Sequence, residues 1–351
     1  MRSYQQIIDV LDRQGSAHVL TWTRGPFQGR KFLLGEKNME ISDRPYSEEV
    51  AGELESLLEE FSGGASAWTR PDEWNYEKDG HECFVENLQS KPRLFLLGSG
   101  HVGTALSKIV CDLDFRLIVL DERPDFADPD RFPFAHQVLA GDYLELLAGF
   151  DERISDWFVI MTPGHARDRE CAEAILKRKS SYVGMIGSRV KVAKTKKALE
   201  ERGISRDRLD RLHAPIGLPI GGRTPAEIAV SIAAELVQIR NSSAVAHFDE
   251  TILSALRQEE TAGPLMMVTI IKKQGSGPRD PGTRMLVSSQ GKLLAGTIGG
   301  GALEMAALAH VREMFDRKLS FELQSYDLTD SQAAELGMIC GGNNRVMFEV
   351  F

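Results

Sequence analysis

The 351-residue chain lacks several things, and each shortage excludes something. It has no run of about 18 apolar residues, so no membrane span is expected. It has four cysteines, Cys83, Cys111, Cys171 and Cys340, none in a Cys-x-x-Cys pair. That spacing excludes the usual structural zinc site. The opening Met1-Arg2-Ser3-Tyr4-Gln5-Gln6 has no apolar export segment, and with scattered cysteines this predicts reduced thiols in the cytoplasm. Positive charge is in deficit, 42 Lys and Arg against 51 Asp and Glu, so no nucleic-acid partner is expected.

What is present suits a globular protein of two or three domains: 42% apolar and 26% charged residues. Three regions separate by pattern. Residues 1–90 begin with a helix-like stripe of Ile7, Ile8, Val10 and Leu11. An acidic stretch follows, in which Glu48, Glu49, Glu53, Glu55, Glu59 and Glu60 interleave with Val50, Leu54, Leu57 and Leu58. This predicts an amphipathic helix ended by Ser62-Gly63-Gly64-Ala65-Ser66. Residues 91–240 alternate short apolar strands with helices. The strands are Leu94-Phe95-Leu96-Leu97, Leu117-Ile118-Val119-Leu120, Phe158-Val159-Ile160-Met161 and residues 182–186. Strands apolar throughout predict a parallel sheet covered on both faces. Thr224-Pro225-Ala226-Glu227 is a capping box for the last helix of this region. Residues 245–351 form the third region, with strands expected at 266–271 and 284–287 and glycine-rich turns around them. The fold class expected is α/β, a Rossmann-type parallel-sheet domain with smaller α/β domain(s). Residues 7–34 and 252–287 share a pattern, and each outer region ends in a strand-like run, Cys83-Phe84-Val85 and Val346-Met347-Phe348. Residues 1–90 are either a degenerate copy of the third region or a chance likeness of two αβ units.

Gly98-Ser99-Gly100-His101-Val102-Gly103 follows a strand and opens a helix. Gly98 allows the tight turn, Gly100 lets the backbone approach a pyrophosphate, and Gly103 allows close helix packing. The helix tip offers free amides to phosphate. Asp121 ends the next strand, 18 residues past Gly103, placed to accept from a ribose hydroxyl. Asp121 favours NAD over NADP, and the nearby Arg123 favours the reverse. Gly164 and His165 follow the third strand, with His165 a candidate acid–base or ligand-binding group or a structural loop histidine. Gly187, Ser188 and Arg189 follow the fourth, where Arg189 is placed to clamp an anion. Residues 177–211 hold twelve Lys and Arg against four Asp and Glu. That local field faces an anionic ligand or an acidic partner, or is a solvated helix surface.

The third region carries Gly275-Ser276-Gly277-Pro278-Arg279-Asp280-Pro281-Gly282, then Gly299-Gly300-Gly301-Ala302-Leu303-Glu304, then Cys340-Gly341-Gly342. Glycine clusters expose amides that cradle anions. Arg279 and Arg284 could add charge-assisted bonds to phosphate. Cys340 is either an exposed thiolate, a soft metal ligand, or a small core residue. A site is expected between Gly100, Arg189 and the loops near Gly300.

The chain resembles the XdhC/CoxI family of molybdoenzyme accessory proteins. The resemblance runs through GSGHVG, LDERPDFADPDRFP, YVGMIGSRVK and HAPIGLPIGGRTPAEIAVSIAAE, then GSGPRDPGTRMLV, GTIGGGALE and YDLTDSQAAELGMICGG, about three quarters of the chain in all. It implies a chaperone for the molybdenum cofactor that holds it during sulfuration with a cysteine desulfurase. It also implies delivery to a xanthine-dehydrogenase-type apoenzyme, with Cys340 the candidate molybdenum-cofactor ligand. Two departures stand out. The well-matched small domain follows the Rossmann domain instead of preceding it, and Ala302 stands where the family often has cysteine. Two other readings remain: an NAD or NADP oxidoreductase with His165 moving the proton, and a nucleotide-sensing binding module. No Ser-x-x-x-Tyr or His/Asp pairing marks a hydride-transfer site. Association of the chain with copies of itself is also expected.

Overall fold

The computed structural model describes residues 2–34, 39–41, 75–78, 80–242, 246–258, 263–275, 279–327 and 342–351. The acidic helix expected over 48–60 and its glycine stop lie outside them. The chain forms two compact units: residues 1–90 together with 244–351, and residues 91–243.

The first unit opens with helix α1 (Arg2–Gln14), whose Tyr4, Ile7, Ile8 and Leu11 recur at helical spacing and are all buried. Strands β1 (Ser16–Arg24), β2 (Lys31–Leu34), β3 (Met39–Glu40), β4 (Asn75–Lys78) and β5 (His81–Gln89) follow. β5 lies centrally, antiparallel to β1 and β4, and β1 leads outward to β2 and β3.

The second unit alternates strand and helix: β6 (Arg93–Leu97), α2 (His101–Val110), β7 (Arg116–Asp121), β8 (Gln137–Ala140), α3 (Tyr143–Ala148), β9 (Trp157–Ile160), α4 (His165–Lys177), β10 (Tyr182–Met185), α5 (Arg189–Glu201), α6 (Arg206–Asp210), β11 (Leu212–His213) and α7 (Pro225–Asn241). The sheet is parallel, in the order β8-β7-β6-β9-β10-β11, which is the Rossmann order 3-2-1-4-5-6. Its continuous apolar strands are sorted by side-chain alternation. Phe95, Leu97, Ile118, Leu120, Phe158 and Ile160 face one core with residues of α3, α4 and α5. Leu94, Leu96, Leu117, Val119 and Val159 face another with α2 and α7. Each such side chain contributes roughly 1.5–3 kcal/mol on burial, which is why the pattern is readable. The capping box at Thr224 and Glu227 is formed as expected.

The chain then returns to the first unit with β12 (Ala246–His247), α8 (Glu250–Arg257), β13 (Leu265–Gly275), β14 (Arg284–Ser288), β15 (Leu293–Gly296), α9 (Gly301–Asp316), β16 (Phe321–Asp327) and β17 (Gly342–Val350). Strand for strand this half repeats the first. The order β3-β2-β1-β5-β4 matches β15-β14-β13-β17-β16. Even the register break coincides, between Trp22 and Arg24 in β1 and between Ile270 and Lys272 in β13. Register makes Lys31 the counterpart of Arg284, each paired across from a threonine, Thr21 and Thr269. It makes Glu86 the counterpart of Glu349, and Glu82 that of Arg345.

These counterparts pair crosswise between the halves. Lys31 Nζ lies 2.9 Å from Glu349 Oε2, Arg284 pairs with Glu86, and Arg345 with Glu82. The first two pairs are buried beside a shared apolar cluster of Tyr4, Ile7, Ile8, Leu11, Ile252, Leu253 and Met267. Ionic pairs taken out of water hold only when both partners are present. Each half therefore completes the other.

Candidate functional site

The C-terminal edge of the parallel sheet carries the candidate site. Three neighbouring strands, β6, β9 and β10, each turn there into a helix, α2, α4 and α5. In this strand order ligands sit where the winding reverses, between β6 and β9.

The turn after β6 shows three different needs for glycine. Gly98 has φ +106°, and a Cβ on it would lie 2.2 Å from the Met161 carbonyl oxygen. A Cβ on Gly103 would lie 2.5 Å from the Gly98 oxygen. Packing explains both. Gly100 is different, because nothing stands within 4 Å of the position its Cβ would take. No side chain caps α2 at Gly100, so the first-turn amides at His101, Val102 and Gly103 lack a side-chain cap and carry the positive end of the helix dipole. His101 is exposed and Val102 half-buried.

Asp121, at the end of β7, departs from expectation. It is fully buried, and its oxygens accept five hydrogen bonds. Oδ2 accepts from Ser99 N at 2.8 Å, Ser99 Oγ at 2.8 Å and Arg123 Nη2 at 2.9 Å. Oδ1 accepts from Arg123 N at 3.0 Å and Arg123 Nε at 2.8 Å. Burial pushes the carboxyl up, but these donors outweigh it and hold it down at about 2. The carboxylate expected to receive a ribose hydroxyl is instead the anchor of the glycine turn. Arg131 completes the brace, donating to Ser99 O at 3.1 Å, to Thr104 Oγ1 at 3.1 Å and to Phe126 O at 2.8 Å. The run from Asp121 to Arg131 thus holds the phosphate-type turn in shape. Sequence reasoning singles out neither Ser99 nor Arg131; the available signal is an acid two residues before an arginine at a strand end.

The turn after β9 is fixed by a second buried acid. Asp168 Oδ1 accepts from Thr162 N at 2.9 Å and Thr162 Oγ1 at 2.6 Å, and Asp168 pairs with Lys191. Gly164 caps α4 with open space at its Cβ position. His165 opens that helix, and its side chain lies outside the described residues. Gly187 makes room for Lys191, whose Cδ would lie 2.9 Å from a Cβ there. Ser188 caps α5, accepting from Lys191 N at 3.3 Å, and Arg189 is exposed beside it.

The glycine-rich loops belong to the other unit, and two of the expected anion contacts are taken. Gly299, Gly300 and Gly301 have φ of +117°, +71° and +62°, a run of backbone only glycine adopts easily. The cradle they form already holds a carboxylate. Glu304 Oε2 accepts from Gly300 N at 3.2 Å and from Thr297 Oγ1 at 2.6 Å. Arg284 is buried, donates to Gly282 O at 3.1 Å, pairs with Glu86 and covers the Phe248 ring at 4.6 Å. It is a structural cation, not a phosphate ligand. Arg279 is exposed. Cys340 and Gly341 lie outside the described residues, and Gly342 starts β17. Ala302 is buried in the first turn of α9.

Two of the described thiols are held in the protonated form. Burial pushes Cys171 up to about 12, helped by Asp168, and raises Cys111; Cys83 is buried. Among the described residues no group of three or more His, Cys, Asp or Glu could hold a metal ion. Nor, among them, is any helix long and apolar enough to cross a membrane.

Comparison with known proteins matches these two regions separately. Residues 94–236 match the XdhC Rossmann domain, and residues 259–327 match the XdhC and CoxI family. The uncharacterized protein YqeB of Escherichia coli is 33% identical over 161 residues, 46% of this chain and 29% of that protein. A probable xanthine dehydrogenase subunit of Bacillus subtilis is 31% identical over 162 residues, 46% of this chain and 47% of that protein. The match therefore spans under half of either curated relative. The crystal structure of a xanthine dehydrogenase from Bacillus halodurans shares the fold, with 21% identity, a TM-score of 0.50, and 68% of this chain and 66% of that one covered. With both of its characteristic regions matched, in a chain whose middle is a Rossmann-ordered sheet, this protein belongs to the XdhC and CoxI family.

Proposed function

We propose that this chain is an accessory protein that holds a phosphorylated cofactor for a xanthine-dehydrogenase-type molybdoenzyme, the cofactor being the molybdenum cofactor. One observation carries the reading: the uncapped tip of α2, with open space at Gly100, is a ready phosphate seat in a braced turn. Membership of the family supports the partner class. The phosphate end of such a cofactor fits the residues present. For the metal end the candidate is Cys340, which lies outside the described residues; among those described no group of three or more His, Cys, Asp or Glu could hold a metal ion. In this reading a cysteine desulfurase supplies the sulfur while this chain holds the cofactor.

The test is retention. The chain is incubated with molybdenum cofactor, passed through gel filtration and assayed for pterin and molybdenum. The wild type should carry pterin, and Gly100→Val, which fills the open side of the turn, should carry at least about tenfold less. Wild-type protein that elutes free of pterin sinks the proposal.

A second reading is favoured by the strand order and the three adjacent helix tips: a dinucleotide, NAD or NADP, in the same turn. It makes the chain a nucleotide-sensing module or an oxidoreductase. Calorimetry with both dinucleotides tests it, and silence for both removes it.

A further inference from the structure

The end of β7 decides what kind of nucleotide the turn would take. In a sheet of this order the adenosine ribose lies between the glycine turn and the end of the second strand. A free acid there accepts from the ribose hydroxyls, and an arginine there accommodates a 2′-phosphate. Here the acid is not free. Asp121 is fully buried, and each of its oxygens is already filled by donors from Ser99 and Arg123. A carboxylate with no lone pair facing outward offers a diol no acceptor.

What faces outward is Arg123. Its Nε and Nη2 turn inward to Asp121, at 2.8 and 2.9 Å. Nη1 makes no hydrogen bond among the described residues, and the side chain is 37% exposed. The guanidinium lies 3.5 Å from the centroid of the Phe126 ring. A bidentate carboxylate on one edge and an aromatic ring on one face fix the cation before any ligand arrives. The nearby acids share one cation, Arg167, which also pairs with Glu170 at 3.0 Å. Glu122 is paired with Arg167 at 2.6 Å, and Asp142 lies 3.2 Å from the same arginine. Arg131 is spent on the carbonyls of Ser99 and Phe126.

We propose that this site selects adenine nucleotides bearing a phosphomonoester on the ribose, NADP(H) over NAD(H), with Arg123 the residue that determines the choice. The inference rests on the nucleotide form of the reading above. Asp121 then positions Arg123 and does not touch the ligand.

The experiment is a fluorescence titration of NADPH and of NADH against the full chain, with inorganic pyrophosphate as a third probe by calorimetry. NADPH should bind at least about tenfold more tightly than NADH, the gain of a charge-assisted guanidinium–phosphate contact. Adenosine 2′,5′-bisphosphate should displace NADPH at concentrations where 5′-AMP does not. Arg123→Gln should narrow the NADPH to NADH ratio to under about threefold, and Arg123→Lys should restore part of it, because a lysine keeps the charge without the planar fork. Equal affinities, or tighter NADH, overturn the selection while leaving the phosphate seat standing if pyrophosphate still binds. Absence of binding by all three probes overturns both. If Arg123→Gln fails to fold, the wild-type ratio and the bisphosphate competition decide alone.

Discussion

The two halves of the first unit share a topology and differ in what they do with their loops. In the N-terminal half the β1–β2 connection closes on itself. Phe27 turns inward, fully buried, against Trp22 at 5.7 Å and His81 at 5.6 Å between ring centroids. In the C-terminal half the equivalent connection presents Arg279 and Asp280 to solvent. That half also keeps the triple glycine at the start of α9. The first connection is filled by its own aromatic ring, and the second is exposed at its described residues. A duplicated module can keep its framework twice and its loops once, because the framework is held by contacts between copies and the loops are not.

The crosswise ion pairs give that comparison its sharpest test. Glu349→Gln strands Lys31, and Glu86→Gln strands Arg284, each in a buried position. Each should cost about 3–5 kcal/mol in urea unfolding, and the two should agree closely. Glu82→Gln should cost visibly less, because Arg345 is 26% exposed. Unequal losses for Glu86 and Glu349 would break the equivalence drawn from the registers.

The central sheet supplies an electrostatic control of smaller size. Asp121 titrates at about 2 when folded, against about 3.9 for an ordinary aspartate, so its stabilisation is complete above roughly pH 4 and vanishes as pH falls towards 2. It should contribute about 2–3 kcal/mol near neutrality. Asp121→Asn should remove that acid-side slope, whereas Glu82→Gln in the other unit should leave it in place. Next in size comes Glu304→Gln, which weakens the internal anion of the glycine cradle. It should cost about 1 kcal/mol, as loss of a helix-end contact does, and it has no counterpart among the described residues of the first half. Smallest is Gly100→Ala, expected to leave the melting temperature unchanged where Gly98→Ala lowers it, since only the latter meets the Met161 backbone.

What is legible in the sequence follows the range of the forces involved. The strand–turn–helix around Gly98 and Gly103, the two-faced apolar strands and the Thr224 capping box are local, and each can be read from neighbours in the chain. The repeat is visible because strand register preserves spacing. Arg284 looks like a phosphate ligand in sequence because its partner, Glu86, lies 198 residues away. Asp121 misleads for a subtler reason. Its position in the motif is right, but its carboxylate is claimed by Ser99 and Arg123, and hydrogen-bond occupancy has no periodicity to read. Glu304 sits three residues past the glycines, within reach of the helix tip, and that reach is a usable signal. Asp168 escapes notice because a lone acid in a helix looks like surface until its threonine and lysine are seen.

The reciprocal pairing of the halves also sets an order of events at the ribosome. Residues 1–90 emerge before residues 91–351, with Glu82 and Glu86 lacking Arg345 and Arg284 and the apolar side of α1 only partly covered. More than 150 residues must be translated before residues 244–351 arrive to cover them. The inserted sheet can fold during that wait, because its strands pair only among themselves. Residues 1–90 are therefore exposed to chaperone capture during that wait, and release should follow synthesis of β17.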